Sequence, residues 1–393
     1  MSLQLTGYER RDGRWGWRNH VLVLPLHSAM CSIADRTAAG IPGSVAIRHD
    51  WEGIAGDPDT ARIERTLIGF ATNPNVGAVL LLDLDDSRRV VPEGIARLGQ
   101  RFEYVTLAGA GSVEAAISSG RGFLEALAAE VGRQNRVAAP VSGICLGLEC
   151  GGSDALSGIT ANPALGVASD MLVQAGGSSI MAEISELLGA EHLLARRAVT
   201  SEVAEQVIEV VRRFERQVAR FGVDLRGSQP APGNIEGGLT TIEEKSLGAA
   251  KKGGNGPIHG VLEFAERPQT HGLFIMDTPG QDIEQMVGMV AAGANIVAFT
   301  TGRGTPTGSP IAPCLKISTN SEIALACPDL IDIDAGQILS GAYSLEAMGA
   351  RIFDAVVSAA AGELTKSEVR GNREFALARI YENPPPPLKK QSE

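Results

Sequence analysis

Between Glu149 and Gly166 the chain reads ECGGSDALSGITANPALG. The paired glycines allow backbone to approach a ligand closely, and Ser153, Asp154, Ser157, Thr160 and Asn162 supply side-chain donors and acceptors. That density suits a polyhydroxylated or carboxylate ligand, each of whose oxygens needs a partner. A capped helix start, with Ser153 or Asp154 as N-cap behind a Gly-Gly turn, accounts for the same residues equally well. A second polar stretch, FTTGRGTPTGSPIAPCLKISTN, runs from Phe299 to Asn320. It reads as a loop beyond a strand end, where α/β proteins place their ligands. Arg303 stands there between two glycines and among Thr300, Thr301, Thr305, Thr307 and Ser309, positioned to grip a carboxylate or phosphate through two hydrogen bonds. Lys316 offers a point charge or, once desolvated, a base.

Two weaker signals accompany these. EEKSLGAAKKGG (243–254) puts Lys245, Lys251 and Lys252 in a glycine-rich segment, readable as a lid over an anionic substrate or as a solvated loop. His49 follows a strand expected at 44–47 and could act as ligand or base. No HExxH, HxH, GxSxG or Walker lysine pattern occurs, so spacing alone defines no metal, acyl-transfer or nucleotide site.

The elements that must position these residues alternate. VLVLPL (21–26), GAVLLLDL (77–84) and YVTLAG (104–109) read as buried strands, with helices expected at 58–74 and 111–134. After a junction at NRVAAPVSG a second series follows: GICLGLE, SSIMAEI, GLFIMDT, NIVAFTTG and LIDIDAG. This predicts an α/β fold of two domains with mainly parallel sheets and the active site between them. The boundaries are residues 1–137 and 138–380, with 381–393 as a disordered, proline-rich tail. SEVAEQVIEVVRRFERQVARFG (201–222) sets Val203, Val207, Val210, Val211, Phe214 and Val218 on one face and predicts an amphipathic helix ended by Gly222. The Gly/Pro/Ser-rich stretch 226–260 reads as a long loop.

The 393 residues carry net charge −11, 44% hydrophobic and 21% charged residues. That is a soluble globular balance, and its acidity argues against a nucleic-acid partner. No apolar run is long enough for a bilayer, and the N-terminus has no apolar leader. The five cysteines show no CxxC pair or disulfide framework, which fits a reducing cytoplasm.

Several long motifs together resemble the altronate and galactarate dehydratases and their relative, the large subunit of sulfolactate sulfo-lyase. GYERRDGRWGWRNHVLVLP resembles the family's GY-R-DGR-G-RN start. CGGSDALSGITANPALGVASD and FTTGRGTPTGSPIAPCLKISTN with IDIDAG resemble its two most distinctive blocks. MAEISELLGAE, KSLGAAKKGG, NPNVGAVLLL and DTPGQDIEQMVGMVAAGANIVAFT add support, and the likeness runs over roughly residues 6–380.

The resemblance implies a hydro-lyase that removes water from a sugar acid or related 2-hydroxy carboxylate, assisted by Fe²⁺ or Mn²⁺, with Mg²⁺ a further candidate. It implies catalytic roles for His49, Lys316 and Glu183. Substrate contacts fall to Arg18, Asn19, Ser153, Asp154, Ser157, Thr160, Asn162, Thr301 and Arg303, and metal ligation to Cys31 and Cys150. The chain departs from the pattern where family members carry a Gly-Cys after the second strand and a GLGCE after the next. Here those regions read RHDWEGIAG (48–56) and LLDLDDSRR (81–89), leaving Asp83, Asp85 and Asp86 as oxygen ligands for a harder cation or as plain strand-end residues. The long enzymes' small N-terminal domain has no counterpart, so a separate small subunit is a candidate partner, and a homo-oligomer is expected. Two alternatives stay open: a sulfo-lyase large subunit, and a diverged carboxylate-binding protein without catalysis.

Overall fold

The runs free of charge and rich in leucine or β-branched residues form strands, because a parallel strand covered on both faces needs apolar side chains throughout. In the computed structural model, which describes residues 5–53, 59–222 and 224–379, three sheets are present. The first is parallel, in the order Ser44–Ala46, His20–Pro25, Val76–Asp83, Phe102–Thr106. Helices Thr60–Ala71 and Val113–Gly132 connect or cover it. The second sheet is also parallel and has seven strands: Ile258–Leu262, Gly272–Met276, Ser178–Met181, Cys145–Gly151, Ile296–Thr301, Cys314–Ser318 and Ile333–Asp334. A small antiparallel sheet pairs Thr6–Glu9 with Trp15–Gly16 and with Val137–Ala138, tying the chain start to the segment that enters the second domain. No helix of the described residues is long and apolar enough to cross a membrane.

Two sequence readings need correction. Cys314–Ser318, taken as part of a loop, is a fully buried central strand. Its apolar content is interrupted by Lys316, which hides the pattern. The stretch 226–260 is likewise not one loop. It holds helices Leu225–Ser228, Pro232–Glu236 and Ile242–Ala250, a 3₁₀ turn at Lys251–Gly253 and the edge strand from Ile258. The amphipathic helix forms as Ser201–Ala219, capped by the Thr200 hydroxyl, with Gly222 in the left-handed region at φ +72°. The tail 381–393 lies outside the described residues.

The two large sheets share a core. Leu22, Leu24 and Val79 of the first pack in one cluster with Phe299 of the second and with Met286 and Val290 of the helix Asp282–Ala291 that covers it. Asn73 and Asn75 fasten the seam: Asn73 Nδ2 donates to the carbonyls of Val290 (2.7 Å) and Ala294 (2.9 Å), and Asn75 Nδ2 to those of Asn295 (2.9 Å) and Ile311 (3.0 Å). Helices Thr60–Ala71 and Asp282–Ala291 cross so closely that a Cβ at Gly69 would collide with the Ala291 carbonyl.

Candidate active site

The strand Cys145–Gly151 carries the central residue of the site. It pairs with Ser178–Met181 on one side and Ile296–Thr301 on the other, so its C-terminal end opens at the carboxyl edge of the sheet. Cys150 is buried there, and its Sγ lies 3.0 Å from Glu183 Oε2 and 3.2 Å from Glu186 Oε2. Glu183 follows the next strand in the left-handed region at φ +75°. For a residue other than glycine such a backbone costs on the order of 1–3 kcal/mol and is typical of functional sites. Its N–H is held by Thr278 Oγ1 at 2.8 Å.

Lys252, with none of its surface exposed, reaches this cluster from the 3₁₀ turn. Its ammonium donates to Cys150 Sγ at 3.1 Å and forms an ion pair with Glu183. Lys245 Nζ pairs with Glu186 at 2.7 Å. Burial pushes the Cys150 thiol up to about 12, with Lys252 pulling the other way, so the sulfur keeps its proton. The ligand atoms of Cys150, Glu183 and Glu186 lie within 4.8 Å of one another, close enough to share one metal ion.

The opposite face of the same strands holds a second polar group. Glu149, Phe299 and Lys316 are register partners on three adjacent strands. They point toward the core shared with the first domain, which contains Phe299. Lys316 Nζ stands 3.6 Å over the Phe299 ring and, like both Glu149 carboxylate oxygens, is buried without a hydrogen-bond partner. Burial lowers the Lys316 pKa and raises that of Glu149 well above the usual carboxylate value. Asp282, on the covering helix, is also raised by burial, with Glu186 adding to it.

The two signature stretches meet through Asp154. Its Oδ2 accepts from Thr319 Oγ1 (2.8 Å) and Asn320 Nδ2 (3.1 Å), and its Oδ1 from Ser157 Oγ (2.9 Å) and the Leu156 N–H (3.2 Å). A side chain at Gly302 would run into Asp154. Thr301 Oγ1 accepts from the N–H groups of Arg303, Gly304 and Thr305 and shapes that turn. Thr160 Oγ1 donates to Leu156 and Thr319 carbonyls, and Asn162 bridges Thr300 Oγ1 (2.6 Å) and the Gly248 carbonyl (3.0 Å). A cavity of about 220 Å³ beside them is lined by Ser153, Asp154, Ser157, Asn162, Lys245 and Lys251, and Lys245 links it to Glu186. Arg303 does not line this cavity; its side chain is 54% exposed and stands 3.9 Å from Glu236.

The remaining expected residues have other partners. Arg18 forms an ion pair with Glu368 (2.6 Å) and donates to the carbonyls of Trp17, Ala359 and Glu363. Asn19 joins Arg10, Val131 and Gln134. Both serve the packing of the chain start in this structure. His49 has both ring nitrogens engaged, Nε2 with the Pro25 carbonyl at 2.7 Å and Nδ1 with the Trp51 N–H at 3.2 Å, and burial lowers its pKa. Cys31 Sγ lies 3.4 Å from the His49 carbonyl and is not part of the Cys150 cluster. Asp83 pairs with Arg88 at 3.1 Å, an ordinary strand-end ion pair. Sequence reasoning missed Glu149, Glu186 and Asp282 as site residues, and offered Lys252 as part of a lid or of a solvated loop. The i, i+3 spacing of Glu183 and Glu186 in MAEISELL was the available signal for one of them.

A parallel α/β scaffold with a buried thiol, carboxylates and lysines gathered at its strand ends has the make-up of a small-molecule enzyme. Residues 141–383 match the family model described as D-galactarate/Altronate dehydratase, C-terminal, and residues 7–132 match D-galactarate dehydratase/Altronate hydrolase, second domain. The chain belongs to this dehydratase family. It is 36% identical to (2R)-sulfolactate sulfo-lyase subunit beta of Chromohalobacter salexigens, over 96% of this chain and 97% of that protein. It is 31% identical to the altronate dehydratase of Bacillus subtilis over 94% of this chain and 76% of that enzyme. It is 34% identical to the galactarate dehydratase (L-threo-forming) of Escherichia coli over 76% and 59% of the two chains. These likenesses support a lyase of the dehydratase kind.

Proposed function

We propose that this chain is a metal-assisted lyase that removes water from a sugar acid or related 2-hydroxy carboxylate and yields a 2-keto acid. The observation that carries the reading is the buried Cys150–Glu183–Glu186 set at the sheet's carboxyl edge. One sulfur and two carboxylate oxygens suit Fe²⁺ better than Mn²⁺ or Mg²⁺, which prefer oxygen ligands. When bound, such an ion supplies Lewis-acid stabilisation for negative charge developing on the substrate. Cys150, Glu183 and Glu186 would hold it, with Lys252 balancing their charge.

Elimination also needs a base for the proton α to the carboxylate and an acid for the departing hydroxyl. We assign the first to Lys316, which burial favours as a neutral amine, and the second to Glu149, which burial favours as the acid. The cavity lined by Ser153, Asp154, Ser157, Asn162 and Lys245 suits the hydroxyl-bearing body of the substrate.

A second reading rests on likeness: the chain is 36% identical to the sulfo-lyase subunit over 96% of its own length. In that reading sulfite leaves in place of water and a small partner subunit completes the enzyme. The test is a screen of sugar acids and sulfolactate with Fe²⁺, Mn²⁺ or Mg²⁺, following 2-keto acid formation and sulfite release. Keto acid from a sugar acid supports the dehydratase. Sulfite from sulfolactate, with or without an added small subunit, supports the sulfo-lyase. Binding with no turnover under any metal would overturn both in favour of a non-catalytic carboxylate-binding protein.

A further inference from the structure

At the opposite edge of the seven-stranded sheet, where Cys145 and Ser178 begin their strands, a cavity of about 300 Å³ lies at the seam between the domains. Its wall combines Arg14 and Trp15 from the N-terminal arm with Ser178, Arg267 and His271 from the second domain. No aspartate or glutamate lines it, although the chain as a whole carries net charge −11.

The two guanidiniums share one carboxylate, which leaves a local surplus of positive charge. Asp12 Oδ2 takes Arg14 Nε at 2.7 Å and stands 3.8 Å from Arg267 Nη1. Arg14 Nη2 donates to the Thr72 carbonyl at 2.7 Å, while its Nη1 is buried without a partner. Burial and the like charge of Arg14 bring Arg267 down to about 10, a sign of how closely the two cations are crowded. Two guanidiniums that share one carboxylate, on the wall of a cavity with no acidic lining, favour an oxyanion there. Trp15 and three prolines, Pro74, Pro140 and Pro268, supply the apolar part of the remaining wall, beside the polar Ser142, Gln269 and Asn295.

We propose that this cavity binds a small organic anion, its carboxylate or phosphate head on Arg14 and Arg267 and its flat body against Trp15 and the prolines. The site is independent of the Cys150 cluster. Because its walls come from both domains, an occupant would tie them together and raise the melting temperature of the whole chain.

The test titrates the full chain with phenyl phosphate, benzoate and inorganic phosphate, reading calorimetry and melting temperature rather than turnover. Saturable binding of phenyl phosphate or benzoate, tighter than inorganic phosphate and accompanied by a higher melting temperature, is the expected result. The better of the two identifies the head group. Arg267→Ala should weaken that binding by roughly tenfold or more, the worth of a charged hydrogen bond. Thr270→Trp, an exposed rim substitution that keeps both guanidiniums, should block it without lowering the melting temperature of the free protein. Arg14→Ala also removes its bonds to Asp12 and the Thr72 carbonyl, which shape the N-terminal arm, so the other two variants carry the decision. Absence of saturable binding by any probe up to roughly 10 mM, an affinity weaker than about 3 kcal/mol, would overturn the proposal, as would binding untouched by Arg267→Ala and Thr270→Trp.

Discussion

Lys252 donates to the Cys150 sulfur at 3.1 Å and pairs with Glu183 in the same enclosed space, so one ammonium serves the thiol and compensates the buried carboxylate. Removing it leaves Glu183 as an uncompensated buried charge, which typically costs about 3–5 kcal/mol. Lys252→Met should therefore lower the urea midpoint sharply. Adding Glu183→Gln in the same chain should recover part of the loss, because the orphaned charge is then gone. A single variant as stable as the parent would contradict the pairing.

Lys316 poses a different question, since among the described residues no hydrogen-bond acceptor meets its Nζ, which stands 3.6 Å over the Phe299 ring. A lysine kept for stability would have a partner. If it is the base, Lys316→Met should lower kcat by roughly 10²–10⁴-fold, the usual worth of general-base catalysis, with a small change in KM. The remaining pH profile should lose its rise toward alkaline pH, because burial lowers the Lys316 pKa and the amine acts only when neutral. A kcat within a few-fold of the parent would remove Lys316 from the mechanism.

Arg303 invited a large role from sequence, being flanked by glycines and hydroxyls. The structure leaves it more than half exposed, with Glu236 at 3.9 Å. Water screening then limits its contribution to substrate binding to about 1 kcal/mol. Arg303→Ala should raise KM several-fold and leave kcat close to the parent value. Loss of kcat by orders of magnitude would mean that the loop closes over the substrate and buries the arginine.

The contrast between Arg303 and Lys252 shows what the sequence made legible. The alternation of short apolar runs with helical stretches gave the parallel sheets, because burial on both faces requires such runs. The hydroxyl-rich block after Cys150 was visible as a polar loop. What it does was not, since Asp154 bonds to Thr319 and Asn320 across 165 and 166 positions of chain. Lys252 lay in a charged, glycine-rich segment that composition assigns to solvent. Only the packing of its turn against helix Ala161–Gln174 brings it inside. Cys314–Ser318 was hidden by Lys316, a charge inside an otherwise apolar buried strand.

Acid should destabilise the first domain. His49 uses Nδ1 to accept from the Trp51 N–H, so protonation there breaks a bond, and burial lowers its pKa. His20 is brought from 6.5 down to about 4 by burial, with the Arg18 charge adding to it. Between those two values the unfolded chain takes up protons that the folded chain refuses, so stability falls as pH is lowered from about 6.5 to about 4. Chemical denaturation at stepped pH should show the decline, and His20→Gln should flatten it. An equal decline in that variant would place the effect on other groups.

Gly166 makes the last link between backbone and site. It sits inside helix Ala161–Gln174, where alanine would ordinarily gain about 1 kcal/mol over glycine. Yet a Cβ there would overlap the Lys251 carbonyl and crowd Gly254, the residues on either side of Lys252 and Gly253. The helix must therefore present bare backbone for the 3₁₀ turn to rest on it and for Lys252 to reach Cys150. Gly166→Ala should lower the melting temperature despite the better helix former. It should also cut turnover, because the turn that carries Lys252 is pushed outward. Gly122→Ala is the control: it lies in helix Val113–Gly132, where no atom comes within 4 Å of the added carbon, and it should be neutral or stabilising. If Gly166→Ala behaves like that control in both stability and turnover, the helix does not set the position of Lys252.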